Sequence, residues 1–182
     1  MPVSVEQLLT SEILKPARYL GNEFGAVRKP WDNAIVRWSL TYPEIYEVGA
    51  SNLGHIILYS IINSQDGQLC DRAYLPAPDL SAKLRETNTD LFAVESKRSL
   101  REFDILGFSL SYELGTTNVL EMLDLANIPM TWQERSEFAI ADCPLIFAGG
   151  QTATSNPEPY ADFFDFLLSV MAKNYCQRLA KF

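Results

Sequence analysis

Apolar positions along this chain fall into short runs separated by polar turns and by stretches with helical spacing. The clearest run is FDILGFSLSYE, where Ile105, Leu106, Phe108 and Leu110 are almost continuous between Asp104 and the polar Ser111 and Glu113. A run of that length predicts a strand buried on both faces of a parallel sheet. Directly after it, Val119, Leu120, Leu123 and Ile128, with Met122 and Leu125, recur at helical spacing as far as Pro129, which ends the predicted helix. Strand, polar turn and helix in succession put the turn at the carboxyl end of a parallel sheet, where such folds hold ligands. The turn carries Ser109, Ser111, Tyr112, Glu113, Thr116 and Thr117. A central strand with a plain crossover reads the same way, because fold does not dictate function.

Taken from its start, the chain opens with a predicted helix and loop over Ser4 to Phe24, with Val5, Leu8, Leu9 and Leu14 on one apolar face before Pro16. The first strand is Ala34 to Pro43, where β-branched and aromatic residues run from Ile35 to Leu40. Ser51 or Asn52 can cap the next helix, whose positions Leu53, Ile56, Ile57, Leu58, Tyr59 and Ile61 are apolar nearly all round. Such a helix is expected to be well buried. Cys70 to Leu75 reads as a short strand, Asp79 as the cap of a helix from Leu80 to Glu86, and Leu91 to Glu95 as an extended piece. After the Leu120 helix, TWQERSEFAIADC is polar and reads as irregular. Pro144 to Gly150 is the next buried strand, and its Gly149–Gly150 pair permits close backbone approach. A turn, a short helix and a last strand around Phe164 to Leu168 follow. This alternation predicts an α/β fold with a Rossmann-like parallel sheet of about five strands and helices on both faces. The expected organisation is an N-terminal helix and loop segment over 1–33, the α/β domain over 34–168, and a divergent tail over 169–182.

The 182 residues, 47% of them hydrophobic, suffice for one such domain. No apolar run is long enough for a membrane span, and the acidic N-terminus lacks a signal core, so a cytoplasmic location and no membrane partner are expected. A net charge of −8 argues against nucleic acid as a partner. Cys70, Cys143 and Cys176 are scattered, with neither CxxC nor zinc-ligand spacing. His55 is the sole histidine, which excludes a site needing two imidazoles. GxGxxG and Walker A patterns are absent.

Four segments together resemble the N-terminal half of a bacterial and cyanobacterial family of B12-binding radical SAM proteins: PARYLGNE, TYPEIYEVGASNLGHIILYSIIN, FDILGFSLSYELGTTNVLEMLDLANIP and AGGQTATSNPEPYADFFD. The resemblance spans Leu14 to Leu168. It implies a cobalamin-binding Rossmann-like domain that precedes a radical SAM barrel. The barrel's CxxxCxxC motif, which holds a [4Fe–4S] cluster for S-adenosylmethionine cleavage, is absent, so those two cofactors are expected only in full-length relatives. Catalysis by this chain alone is not expected.

A corrin is broad and flat and carries a long nucleotide tail. Ser109 and Ser111, with Gly149 and Gly150, resemble the SxL and GG elements of B12 domains. Tyr112, Glu113, Tyr46 and Gly49 complete the set of candidate cofactor residues. Glu44 and Glu47 could line the pocket mouth or simply face solvent, and Asn156, Pro157, Glu158 and Pro159 form either a tail slot or an ordinary rigid turn. Many B12 domains carry DxHxxG after the first strand, whose histidine ligates cobalt. Here TYPEIYEVG stands there instead. His55 comes later, inside an apolar helix, and reads as a packed or hydrogen-bonded histidine rather than a cobalt ligand. The expected state is therefore a base-off cobalamin without a protein histidine. Cys143 reads as a small core residue rather than a nucleophile; Glu113 is a candidate general base by position alone.

From Ser169 the chain reads SVMAKNYCQRLAKF, where the family continues into Gly-Asp-Gly-Glu-Glu. Read from the third base of each codon, Met171–Ala172 must give Gly, and Asn174–Tyr175 and Tyr175–Cys176 must each give Leu. The shifted frame permits Gly-Asp-Gly-Glu-Glu-Leu-Leu, so a truncated product or decayed gene is expected, with a loosely packed tail. A natural C-terminal helix using Val170, Tyr175 and Leu179 is the alternative. Two functional expectations follow: a cobalamin-binding half that works with a separately encoded radical SAM barrel, or a stand-alone Rossmann-like module for another nucleotide or a protein partner.

Overall fold

A computed structural model describes residues 4–139 and 142–169. Among them, five strands form one sheet: β1 Val36–Tyr42, β2 Gln68–Tyr74, β3 Ile105–Ser109, β4 Leu145–Gly149 and β5 Phe166–Leu168. All pairings are parallel, and the spatial order is β2-β1-β3-β4-β5. The α/β class and the central place of the Ile105 strand agree with the hydrophobic pattern. The helices are α1 Val5–Leu8, α2 Tyr46–Gly49, α3 Leu53–Asn63, α4 Pro78–Thr87, α5 Gly115–Leu125, α6 Trp132–Arg135 and α7 Gln151–Ser155.

Side chains alternate along each strand, so the sheet carries a core on each face. On one face Leu69, Ala73, Leu106, Phe108, Ile146 and Ala148 meet Leu80 and Leu84 of α4 and Val119, Met122 and Leu123 of α5. On the other, Trp38, Leu40, Cys70 and Phe147 meet Tyr59 and Ile62 of α3. Fully burying a side chain such as Leu123 stabilises the fold by roughly 1.5–3 kcal/mol, which is what holds α5 on the sheet. Cys70 and Cys143 belong to different cores and therefore to opposite faces.

β2 is an edge strand, and the edge is covered rather than open. The Asn63 amide pairs with both the N–H and the C=O of Cys70, at 3.0 and 2.8 Å. The Glu95 carboxylate accepts from Arg72 N at 2.8 Å, and Val94 N donates to Arg72 O at 2.8 Å. The N-terminal segment wraps the same edge. Val5, Leu8, Ile13 and Tyr19 join the α4–α5 core, and Val27 N donates to Tyr59 Oη on the opposite face at 2.7 Å. Lys29 Nζ donates to the carbonyls of Asn63, Gln65 and Gln68. Saturating an edge in this way removes a template for strand addition.

Several local expectations need correction. The N-terminal helix is a single turn, followed by a 3₁₀ turn at Pro16–Tyr19. Leu14 is 71% exposed because its N–H is drawn to Asp79 Oδ2 at 2.6 Å, leaving Ile13 to fill the core. Asp79 is thus inside the first turn of α4 rather than its cap, and Pro78 opens that helix. α3 is capped by Asn52 but is not buried all round: Leu53 is 73% and Ile57 48% exposed. α5 ends at Leu125, before Pro129, where Asn127 takes a left-handed φ of 52°. α6 lies in the segment read as irregular. Thr131 and Glu134 form a capping box there, and buried Arg135 donates to the carbonyls of Pro129, Met130 and Phe163. α7 starts directly after β4 instead of following a turn. Among the described residues no helix is long and apolar enough to cross a membrane. The tail expected over 169–182 lies, apart from Ser169, outside the described residues.

Candidate functional site

From β1 the chain moves outward to β2, then crosses back to place β3 on the other side of β1. The order therefore reverses between β1 and β3, and the carboxyl ends of those strands flank the crevice where open α/β sheets bind ligands. Two segments border it: Pro43, Glu44 and α2 after β1, and Leu110 to Leu114 after β3.

Polar side chains reach across this crevice. Tyr42 Oη and Ser111 Oγ share a hydrogen bond of 3.0 Å. The Tyr112 hydroxyl donates to the Glu44 carboxylate. Asn118 Nδ2, in the first turn of α5, donates to Pro43 O at 2.9 Å and to Glu44 Oε1 at 3.2 Å. Asn52 Nδ2 donates to Tyr42 Oη at 3.3 Å, while its carbonyl oxygen caps α3 by accepting from His55 N at 3.0 Å. Glu44 and Asn118 were given different weight by the sequence: Glu44 was a possible mouth residue and Asn118 was missed. A polar residue on the inner side of an amphipathic helix, one turn beyond the strand end, is the signal that marks Asn118.

β3 and β4 bring their small residues to the same end. Ser109 lies in register with Gly149, and Leu110 N donates to Gly149 O at 2.8 Å. Ser109, Ser111, Gly149 and Gly150 thus converge at the carboxyl edge. The two glycines differ. A Cβ on Gly149 would make an ordinary contact with Leu168 at 3.5 Å, whereas Gly150 has φ 115° and a Cβ there would lie 2.5 Å from Leu110 O. The fold itself requires Gly150; Gly149 is the one with room to spare.

The other candidates scatter. Tyr46 turns away from the crevice, donating to Glu23 Oε1 at 2.5 Å with its ring edge-on to Tyr74 at 5.4 Å. Burial and that bond push its phenol up to about 12. Gly49 is buried, and a Cβ there would overlap the Tyr74 ring at 2.5 Å. Glu113 is exposed, and its carbonyl accepts from the Thr116 hydroxyl at 2.9 Å; the Thr117 hydroxyl likewise turns back to Leu114 O. Glu47 pairs with Arg18 at 2.7 Å, and that bond lowers its carboxyl below the usual range. Asn156 to Pro159 join α7 to a 3₁₀ turn at Glu158–Phe163, on the β4–β5 side of the edge.

His55 is 1% exposed, between the rings of Tyr42 and Tyr74, each at 5.6 Å. Neither ring nitrogen has a hydrogen-bond partner among the described residues, and the same holds for Tyr74 Oη. Burial, with Arg72 adding to it, lowers the imidazole to about 3, so it is neutral. Tyr42 separates it from the crevice.

Beneath α2 lies a buried charged group that sequence reasoning missed. Arg72 Nε donates to Glu95 Oε1 at 2.7 Å, and its Nη1 pairs with Glu23 at 2.9 Å over the Tyr59 ring. Burial opposes the guanidinium charge, but Glu95 and Glu23 keep it protonated. Burial pushes Glu95 up to about 7 against the pull of Arg72. The available signal was the charged pair Asp71–Arg72 in the middle of a buried strand. Around the crevice mouth, exposed apolar side chains make a rim: Val48 (44%), Leu53 (73%), Tyr112 (39%) and Leu114 (78%).

Compared with known families, residues 54–179 match the family described as Radical SAM proteins, N-terminal, which is well over half of the chain. No curated protein matches.

Proposed function

The chain belongs to the radical SAM N-terminal family, and we propose that it serves there as a corrinoid-binding module, holding cobalamin across the carboxyl edge between β1 and β3. The observation that carries this reading is the convergence of Ser109, Ser111 and Gly149 beside an exposed apolar rim of Val48, Leu53, Tyr112 and Leu114. A broad, partly apolar ring needs such a surface, and covering the rim removes apolar area from water.

The donor set fits a corrin lying on the rim, and it does not offer a protein nitrogen to cobalt, because His55 is shut behind Tyr42 and Tyr74. Cobalt-centred electron or alkyl transfer is the chemistry such a cofactor supplies when bound. The residues of this chain bind and orient. Ser111 and Tyr112 would turn their hydroxyls from Tyr42 and Glu44 toward the ligand's amide side chains, and Gly149 leaves space for close backbone approach. Leu53 and Leu114 would exclude water from the ring's lower face. A radical SAM barrel, carrying the cluster motif that this sequence lacks, would cover the other face.

Anaerobic titration with hydroxocobalamin followed by gel filtration tests this. The corrin should co-elute with the chain, and Leu114→Asp with Leu53→Asp should weaken that by roughly tenfold or more, as for apolar area lost from an interface. Absence of co-elution would favour the module's use as a protein-docking or nucleotide-binding unit instead.

A further inference from the structure

We propose that α3 is a self-association surface, on which a second copy of this chain docks its own α3 antiparallel about a two-fold axis. The inference does not depend on cobalamin. α3 carries no charged residue over its 11 positions, in a chain whose net charge is −8. The other helices of similar length differ. α4 turns Lys83, Arg85 and Glu86 to its surface and α5 turns Glu121 and Asp124, and these charges pair with one another.

Instead, α3 presents one exposed stripe of Leu53, Ile57, Ser60 and Ser64, with half-buried Ile56 and Ile61 on its two shoulders. The serines add little polarity to it. Ser60 Oγ donates to Ile56 O at 2.9 Å, and Ser64 Oγ donates to Ile61 O at 2.7 Å, so both hydroxyl protons are spent on the helix itself. The outer face of an amphipathic helix is ordinarily charged; this one is apolar in effect.

The distribution of size along the stripe selects the occupant. Bulky Leu53 and Ile57 fill its first half, and small Ser60 and Ser64 its second. A second α3 turned end for end sets its Ser64 level with Leu53, its Ser60 level with Ile57 and its Ile61 level with Ile56. Large then meets small along the stripe, which lets two helices interdigitate. Each contact also occurs twice, as an isologous two-fold interface requires. Charge favours the same occupant, because two copies of an acidic chain can meet on an uncharged face without apposing like charges. Antiparallel alignment sets the positive N-terminal end of one helix beside the negative C-terminal end of the other. α3 is only about 16 Å long, so the helix pair alone covers less than the roughly 800 Å² per partner of a standard interface. Phe24, fully exposed on the loop whose Val27 N donates to Tyr59 Oη of α3, adds apolar area. A weak dimer is the consequence, with Kd of roughly 10–100 μM.

Sedimentation equilibrium of the full chain without cobalamin, from about 5 to 500 μM, tests this by resolving monomer from dimer. Leu53 also borders the crevice, so the variants are placed at Ile57 and Ser60, which do not. Ile57→Glu buries a carboxylate against Ser60 of the second copy and should weaken the dimer at least tenfold; Ser60→Lys should do the same. The double variant should recover most of the loss, since each introduced carboxylate then faces the introduced ammonium of the other copy. That recovery also shows that the single variants fold. A chain that stays monomeric to the highest concentration would overturn the proposal and leave α3 to a partner of different sequence. A dimer indifferent to Ile57→Glu would place the contact elsewhere, and a double variant as weak as the singles would refute the antiparallel register.

Discussion

Tyr42 Oη and Ser111 Oγ lie 3.0 Å apart across the point where strand order reverses, so the crevice of this sheet is tied shut by its own side chains. Glu44 makes a second tie through Tyr112 and Asn118. A ligand entering here must replace these bonds. Tyr42→Phe and Ser111→Ala should each cost about 1 kcal/mol in urea unfolding, the usual worth of such a bond. A double-mutant cycle should show coupling of about 0.5 kcal/mol or more. Strict additivity would mean that the two hydroxyls do not depend on one another in solution.

The glycine pair should separate cleanly. Gly150→Ala forces a side chain into φ 115° and against Leu110 O, and should destabilise by more than about 2 kcal/mol. Gly149→Ala meets only Leu168 at ordinary contact distance and should cost under about 1 kcal/mol. Denaturant titration of the two variants decides it; similar losses would contradict the assignment of Gly150 to the fold.

Acid should destabilise the chain through His55. Its folded-state value, about 3, lies below that of the unfolded imidazole near 6.5, so the unfolded chain takes the proton first as pH falls. Stability is full above about pH 6.5 and is lost toward pH 3, with a slope approaching about 1.4 kcal/mol per pH unit. Glu95, raised to about 7, acts in the opposite sense: protonation below pH 7 favours the folded state. His55→Phe keeps a ring between Tyr42 and Tyr74 and leaves Glu95 untouched. Urea midpoints at pH 7, 5.5 and 4.5 should fall less steeply in that variant, and parallel slopes would rule out a buried neutral imidazole.

The capped edge gives a further measurement. Asn63→Ala removes both bonds to the Cys70 backbone and should cost roughly 2 kcal/mol, two ordinary hydrogen bonds' worth. Faster hydrogen exchange at the Cys70 amide should accompany the loss. An unchanged exchange rate would show that other groups, not Asn63, protect the edge.

Much of the fold was legible because its strands are short apolar runs with polar ends. Ile105–Ser109 and Leu145–Gly149 stand out that way, and their alternation with helices implies that Ser109 and Gly149 share an end. Local chemistry was legible too. Thr131 and Glu134 spell a capping box ahead of α6, and Asn52 caps α3. Helix ends were less legible, because Asn127 stops α5 by a left-handed turn before Pro129 can act.

What the sequence determined by itself is set by neighbours along the chain: the strand and helix periods, the parallel α/β class, and the small residues after β3 and β4. Only the tertiary structure decided who meets whom. Tyr42 finds Ser111, Arg72 finds Glu95 and Glu23, and His55 is walled off by Tyr42 and Tyr74, all through packing of segments far apart in sequence. Periodicity reports which side of an element is apolar, but it carries no term for the distance between two elements. Burial of a polar group, and with it the shift of its proton affinity, depends on that distance.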